Sequence, residues 1–510
     1  MSYRMTAAIL AATLLASLLA GCRPGPALPH ADPSPVRGGT LVVAVPADPA
    51  GLDPHKAVAA ATFQITRNLY ETLVQVDPNG ELESALALEW EVSPDGLAYT
   101  FYLRPGARFH DGRAADAAAV KASFERLLDP ATGHPRRKDY AVIGELVIAG
   151  EHTLVIRLAE YSAAFLSNLA MGWAAVVPVD AADLFNQPVG SGPFRFVEWR
   201  PQQHVKLARF EEYGVDELPY LDEVVFQIIP DGAVQLRHLQ AGQVDVITVL
   251  PPETADQVRS TPGLKVLSAP MNAVQLLAIN NARPPFDDLR VRRALSHLVD
   301  RQAVVDGAVW GYGTVIGSHM PPVSPYYEDL TGAYEHDPAR ARQLLGEAGY
   351  PDGFEVTIHL PDAYELHRRA GEIIADQLRA GGIRARLEVV EWGRWLKEIY
   401  EQRQYHLTVI GHTGRLDPDP FLNRYVSKSR ENYMNYDNPV YDQLIAEAAA
   451  CTDLARRHQL YSLLQKTLTG DAVAVWLQAP HHVMGAAETV RGWRFFPIDV
   501  YDLSTVHKTR

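Results

Sequence analysis

Hydrophobic and polar positions follow two different rhythms along this chain. After Gly38-Gly39, short apolar runs dominate, and residues 41–45, 154–158, 205–207, 224–229 and 244–249 read as strands. A compact unit spans residues 68–130. Leu69 and Leu73 suggest a short helix there. Asp77-Pro78-Asn79-Gly80 and Ser93-Pro94-Asp95-Gly96 are turns that tolerate positive φ. Residues 99–103 (Tyr-Thr-Phe-Tyr-Leu) suit a strand. Asp116 then caps a helix with Val120, Phe124, Leu127 and Leu128 on one face and Pro130 beyond its end.

The rhythm changes after Pro270. Asp287 and Asp288 open a helix with Val291, Ala294, Leu295 and Leu298 at i, i+3, i+4 and i+7. Asp337-Pro338 starts another, which Gly349 closes. Strand 354–360, helix 366–380, strand 384–390, helix 392–402 and strand 407–410 then alternate. That order predicts a mostly parallel sheet covered by helices. Helical patterns at 441–451 and 454–469 follow. From about His481 the helix period stops and the chain is expected to cross back to the first region. Two lobes joined by crossing strands leave a cleft, a favoured place for ligands.

Composition narrows the class. A chain of 510 residues, 47% hydrophobic and 21% charged, is expected to fold as two or three soluble domains. Its net charge of −14 argues against nucleic acid as a partner. At the start, Arg4 precedes an apolar stretch, residues 7–20, too short to span a bilayer, which ends in Leu19-Ala20-Gly21-Cys22. Small residues before a Cys resemble a bacterial lipobox. Residues 1–21 are then a signal peptide, and Cys22 is the lipidated mature N-terminus; an ordinary signal peptide cleaved nearby is the alternative. Residues 22–37 are Pro-rich and read as a tether. Cys451 is left as the one thiol, with no intramolecular disulfide to form, and is expected to pack in its helix as a small hydrophobe.

Catalytic signatures do not emerge. Gly190-Ser191-Gly192 has the wrong spacing for a nucleophile elbow and reads as a turn before Pro193. There is no P-loop, HExxH or CxxC, and Gly311-Tyr312-Gly313 lacks the third glycine of a dinucleotide fingerprint. His481 and His482 are adjacent on a strand pattern and point to opposite faces, a poor arrangement for one metal ion. His110-Asp111-Gly112 reads as a turn. No metal, no cofactor and no enzymatic activity are expected.

The order Asn-Leu-Tyr-Glu-Thr-Leu (68–73), turn, Glu-Trp (89–90), Ser-Pro-Asp-Gly (93–96), strand, Leu-Arg-Pro-Gly-Ala-Arg-Phe-His-Asp-Gly (103–112), helix resembles the extracellular solute-binding proteins of family 5, the peptide/nickel class. These are capture subunits of bacterial ABC importers, and the resemblance runs on to the C-terminus. It implies an α/β fold of the periplasmic-binding-protein-like class II. Domain I would comprise 38–76, 186–270 and 481–510, with a small α+β domain II inserted at 77–185 and domain III, the second lobe, at 271–480. It further implies a monomer, lipid-anchored on the periplasmic side of the cell envelope, that hands a small solute to permease and ATPase subunits.

The same resemblance locates candidate ligand contacts. Asp53, in Gly-Leu-Asp-Pro-His-Lys after the first strand, would line the cleft or form an Asx turn. Trp392 stands where peptide-binding relatives place a pocket aromatic, and Trp395 is expected in the core. Where those relatives carry an aspartate for the ligand's α-ammonium, this chain has Gly414, and an upstream aromatic is replaced by Gly411. Arg415 and Asp417 are the candidate substitutes, one for a carboxylate and one for an amine, with Asp417 and Asp419 as turn caps the alternative. Tyr433 and Tyr436 would face the cleft, unless Tyr436-Asp437-Asn438-Pro439 caps the next helix. The departure at Gly414 keeps a non-peptide ligand (a metal chelate, an opine-like compound or an oligosaccharide) beside the peptide reading, and an extracytoplasmic hydrolase or chaperone on the same scaffold is the alternative from another class.

Overall fold

The computed structural model describes residues 35–509. The proposed signal peptide, Cys22 and the tether up to residue 34 lie outside the described residues.

The first lobe is built on the strand Thr40–Val45, which pairs in parallel with Glu223–Ile228 on one side and with the two-residue strand Val246–Ile247 on the other. His204–Arg209 and Phe194–Arg200 extend the sheet antiparallel. The expected strand at 244–249 is thus only two residues long. Thr248 has already turned its hydroxyl to the carbonyl of Ala44, and Val249 is exposed.

A four-stranded antiparallel sheet, in the order Ala87–Val92, Ala98–Leu103, Thr153–Leu158, Ile143–Gly150, stands apart. The helix Ala117–Leu128 covers it, capped by Asp116, whose side chain accepts from the Ala119 N–H. Val120, Phe124 and Leu127 are buried beneath it. The short helix read at Leu69 and Leu73 is instead Ala60–Thr66, and Val74–Val76 is a strand. Leu69 lies in the turn that ends that helix, its N–H donating to the Thr66 carbonyl at 2.9 Å, and Gly190 and Gly192 pack closely on it: Gly192 N–H donates to the Leu69 carbonyl, and a Cβ on Gly190 would lie 2.0 Å from that oxygen.

In the second lobe Arg384–Val390, Glu355–Pro361 and Leu407–Thr413 are parallel. Ala273–Ile279 and Ala474–Ala487 complete the sheet antiparallel, so it is mixed rather than mostly parallel. Side chains alternate between two cores. Leu276, Ala278 and Trp476 enter one, and Leu277, Ile279 and Val475 the other. A strand buried on both faces reads as a continuous apolar run. Cys451 lies just past the helix Pro439–Ala450, half-buried, rather than within it.

The 14-residue strand Ala474–Ala487 joins the lobes. Its first part pairs with Ala273–Ile279 of the second lobe, and its last part with Leu264–Pro270 of the first. The two crossings touch where the Met271 N–H donates to the Pro480 carbonyl at 2.8 Å.

Candidate functional site

A cavity of about 780 Å³ lies at these crossings. Glu253 and its neighbouring prolines line it from the first lobe, and Met271, Gln275, Pro480 and His481 from the crossing strands. The rest of the wall comes from the second lobe. Among the described residues no three His, Cys, Asp or Glu side chains are grouped to hold a metal ion. No helix of the described residues is long and apolar enough to cross a membrane.

Two polar chains support the wall. In one, the Gln478 amide donates to Gln275 Oε1 at 2.8 Å, and the Gln275 amide donates to His367 Nδ1 at 3.0 Å and to the Leu366 carbonyl. Burial lowers the pKa of His367 to about 4, so the ring is neutral at pH 7. Because Nδ1 accepts, the proton sits on Nε2, which has no protein partner among the described residues and faces the cavity. Gly411 leaves this donor uncovered: a Cβ there would stand 3.1 Å from the imidazole.

In the other chain Tyr433 Oη meets His412 Nε2 at 3.0 Å, and His412 Nδ1 meets His319 Nε2 at 2.9 Å. His319 stacks on Phe421 with ring centroids 4.3 Å apart. Burial, and next the field of Arg424, holds both histidines well below their ordinary range. This chain orients His412 but leaves neither of its nitrogens for a ligand.

The apolar part of the wall follows from one short helix. Glu391 caps it by accepting from the Gly393 and Arg394 N–H groups, and Trp392–Trp395 then passes into a π-helical turn, Leu396–Glu401. Trp392 and Trp395 stack at 5.1 Å and 11°, with Tyr364 edge-on to Trp392 at 5.1 Å. Trp395 is buried, its indole N–H donating to Thr408 Oγ1, and presents only an edge to the cavity; Trp392 is half-buried. Arg369 spans the lobes, 2.5 Å from Glu365 and 3.8 Å from Glu253.

The residues expected from the sequence are not gathered in one place. Trp392 lines the cavity. Arg415 is exposed on the loop after Leu407–Thr413 and forms no ion pair among the described residues. Asp53 is buried and paired with Arg126 of the inserted domain at 2.5 Å, and it also accepts from the His55 N–H. Asp417 is buried against Arg457 at 2.9 Å and caps the turn at Asp419. Both carboxylates stand away from the cavity and are already neutralised, so they are structural where ligand contacts were expected. Tyr433 is fully buried behind His412, and Asn438 caps the helix after Tyr436.

Gln275, His367, His412 and Arg424 were missed. Gln275 and Gln478 did carry a signal: each is a lone amide in an apolar strand run, which demands a polar partner. At Gly414 a Cβ would lie 1.7 Å from Asn272 Oδ1, and Asn272 in turn donates to the Pro497 carbonyl. The space of the expected aspartate is filled by the side chain of Asn272, next to the crossing at Met271.

The chain matches the model of the bacterial extracellular solute-binding proteins, family 5, over residues 81–433. It is 30% identical to the heme-binding protein A of Haemophilus influenzae over 87% of both chains. It is 28% identical to the glutathione-binding protein GsiB of Pectobacterium atrosepticum over 92% of this chain and 94% of that one. HbpA2 from Haemophilus parasuis superposes with a TM-score of 0.83 at 26% identity, covering 92% of this chain and all of the other. DppA from Helicobacter pylori in complex with the peptide STSA superposes at 0.70 with 28% identity, covering 93% and 99%. A family model spanning more than half of the sequence, and relatives similar along almost all of it, establish that the chain belongs to the bacterial extracellular solute-binding proteins of family 5.

Proposed function

We propose that this chain captures short peptides in the inter-lobe cavity and delivers them to the permease and ATPase subunits of an ABC importer. The observation that carries the reading is a cavity at the crossing strands, lined from both lobes, in a family 5 chain. Capture is a binding event without turnover. The protein acts as a monomer on the extracytoplasmic side of the membrane, anchored through lipidated Cys22. Trp392 gives the ligand flat apolar contact, which demands no single side-chain sequence. His367 offers its Nε2–H as a fixed donor.

The second lobe closes over the ligand about the crossings near Met271 and Pro480, and the ligand stabilises that form only by binding it better than the open one. The poorer superposition on a peptide complex than on HbpA2, at similar identity and coverage, supports a difference in lobe placement rather than in fold.

A non-peptide solute is the second reading. It is favoured by Gly414 and by the absence of a free Asp53 or Asp417 to hold an α-ammonium. Native mass spectrometry of the lipid-free protein, before and after mild unfolding and refolding, separates the two. A co-purified peptide mass released by unfolding supports the first reading, and a sugar, opine or metal complex replaces it with the second.

A further inference from the structure

The inserted domain is fastened to the two lobes by contacts of different kinds. On the first lobe it is held by buried charge. Arg126 pairs with Asp53 at 2.5 Å, and Arg104 donates to both oxygens of Glu71 at 2.8 and 2.9 Å. Asp53, Glu71 and Arg104 are buried, so parting these surfaces would strand charge away from water. The His110 ring adds bonds to Gly190 and Gly192, and the Trp173 indole N–H donates to the Ala57 carbonyl. The inserted domain therefore moves with the first lobe.

Toward the second lobe it makes no ion pair among the described residues. Tyr161 Oη donates to the Cys451 carbonyl at 3.0 Å, with its ring against Gly96. Leu416 packs half-buried on the core of the inserted domain. A Cβ on Gly80 would stand 2.7 Å from the Val323 carbonyl and 2.9 Å from Pro325, so that turn is pressed on the second lobe too. A neutral hydrogen bond and apolar contact part into water far more easily than a buried ion pair.

One buried side chain of the second lobe organises the surface that is met. Arg457 donates to Asp417 Oδ1 at 2.9 Å, to Tyr326 Oη at 3.0 Å and to the Ala448 carbonyl at 3.3 Å. Asp417 adjoins Leu416, Tyr326 adjoins Pro325, and the chain runs from Ala448 directly to Cys451. Leu416 also follows closely on Thr413, which lines the cavity, whereas none of the described residues of the inserted domain does.

We propose that the inserted domain is a clasp: fixed to the first lobe, it catches the second lobe through Tyr161 and Leu416 and holds a share of the unliganded protein closed. The Asp417–Arg457 pair is the frame of that catch. The clasp adds to closure about the crossings a holding contact outside the cavity, and it acts whatever the solute is. Where part of the population is already closed, less of the solute's affinity is needed to close the rest.

The test is double electron–electron resonance on lipid-free mature protein carrying Cys22→Ser and Cys451→Ser, freed of solute by unfolding and refolding. Nitroxides are placed at exposed positions, Glu145→Cys in the inserted domain and Gln443→Cys in the second lobe. Tyr161 bonds a backbone carbonyl, so Cys451→Ser leaves the catch in place. The labelled parent should show a short and a long distance. Tyr161→Phe and Leu416→Ala should each raise the long-to-short ratio about threefold or more, and together by more than either alone. Melting curves check the fold, and Tyr161→Phe removes only a hydroxyl. A parent that shows only the long distance, or a ratio that neither variant moves, would overturn the clasp and leave solute capture untouched.

Discussion

Gly414 shows how one residue is constrained by its neighbour rather than by its own backbone. Its N–H donates to the Asn272 carbonyl at 2.7 Å, and the Asn272 side chain occupies the volume where a Cβ would go. Gly414→Ala is therefore expected to expel that side chain, break its bond to Pro497 and cost about 1–3 kcal/mol of overpacking strain. Adding Asn272→Ala should recover most of the lost melting temperature. A single variant as stable as wild type would show that Asn272 moves aside freely. Legibility at this scale was uneven. Trp392 was readable through the resemblance to family 5, which marks its position as a pocket aromatic, and it does line the cavity. Asp53 and Asp417 were not, because their partners Arg126 and Arg457 lie 73 and 40 residues away and nothing local announces them. His367 and Arg424 stay hidden for the same reason: on a helix and a short 3-10 turn they look like any solvated polar residue.

Elements were more legible than contacts. Asp116, Asp288 and Asp337 each cap the helix that follows, because a capping carboxylate acts within three residues of itself. The alternation from residue 354 onward was also plain in the sequence. Where the reading failed, the cause was tertiary: glycines pressed on Leu69, and a strand shortened to Val246–Ile247. The π-helical turn after Trp395 has no clear sequence mark, and the two stacked tryptophans before it, three residues apart, differ in burial. Trp395→Ala should cost about 3–5 kcal/mol, since it empties a buried site and removes the donor to Thr408 Oγ1, which keeps only its bond to the His359 carbonyl. Trp392→Ala should weaken ligand binding with a much smaller loss of stability. Parallel melting and calorimetry on the two variants check this, and equal stability losses would contradict it.

For the whole molecule, buried histidines set the acid limit. Burial lowers the pKa of His110 and His367 to about 4 and, helped by the Arg126 field, that of His55 to about 3. At His110 the reason is visible: Nδ1 accepts from the Gly190 N–H while Nε2 meets the Gly192 carbonyl, so a second proton breaks a bond. The folded state refuses a proton that the unfolded chain takes up below about pH 6.5. This stability is present in full above pH 6.5 and declines as pH falls toward 4, at about 1.4 kcal/mol per pH unit for each such histidine. The melting temperature should therefore drop steadily between pH 6.5 and 4.5, and a flat profile over that range would contradict the burial.

Closure is the other property of the whole chain. The lobes are linked covalently at two crossings, and beyond these they share the half-exposed Glu253–Arg369 pair and a hydrogen bond from Arg259 to Tyr312, while the inserted domain meets the second lobe where Tyr161 donates to the Cys451 carbonyl and Leu416 packs on its core. Surface pairs of that kind hold about 0–1 kcal/mol each, too little to resist a ligand that contacts both walls. Small-angle scattering should show the radius of gyration shrink when a ligand identified by native mass spectrometry is added. Trp392→Ala should blunt that compaction at concentrations that saturate wild type. A ligand that binds tightly yet leaves the scattering unchanged would mean that capture needs no movement of the lobes, and that the cavity is already formed for its solute.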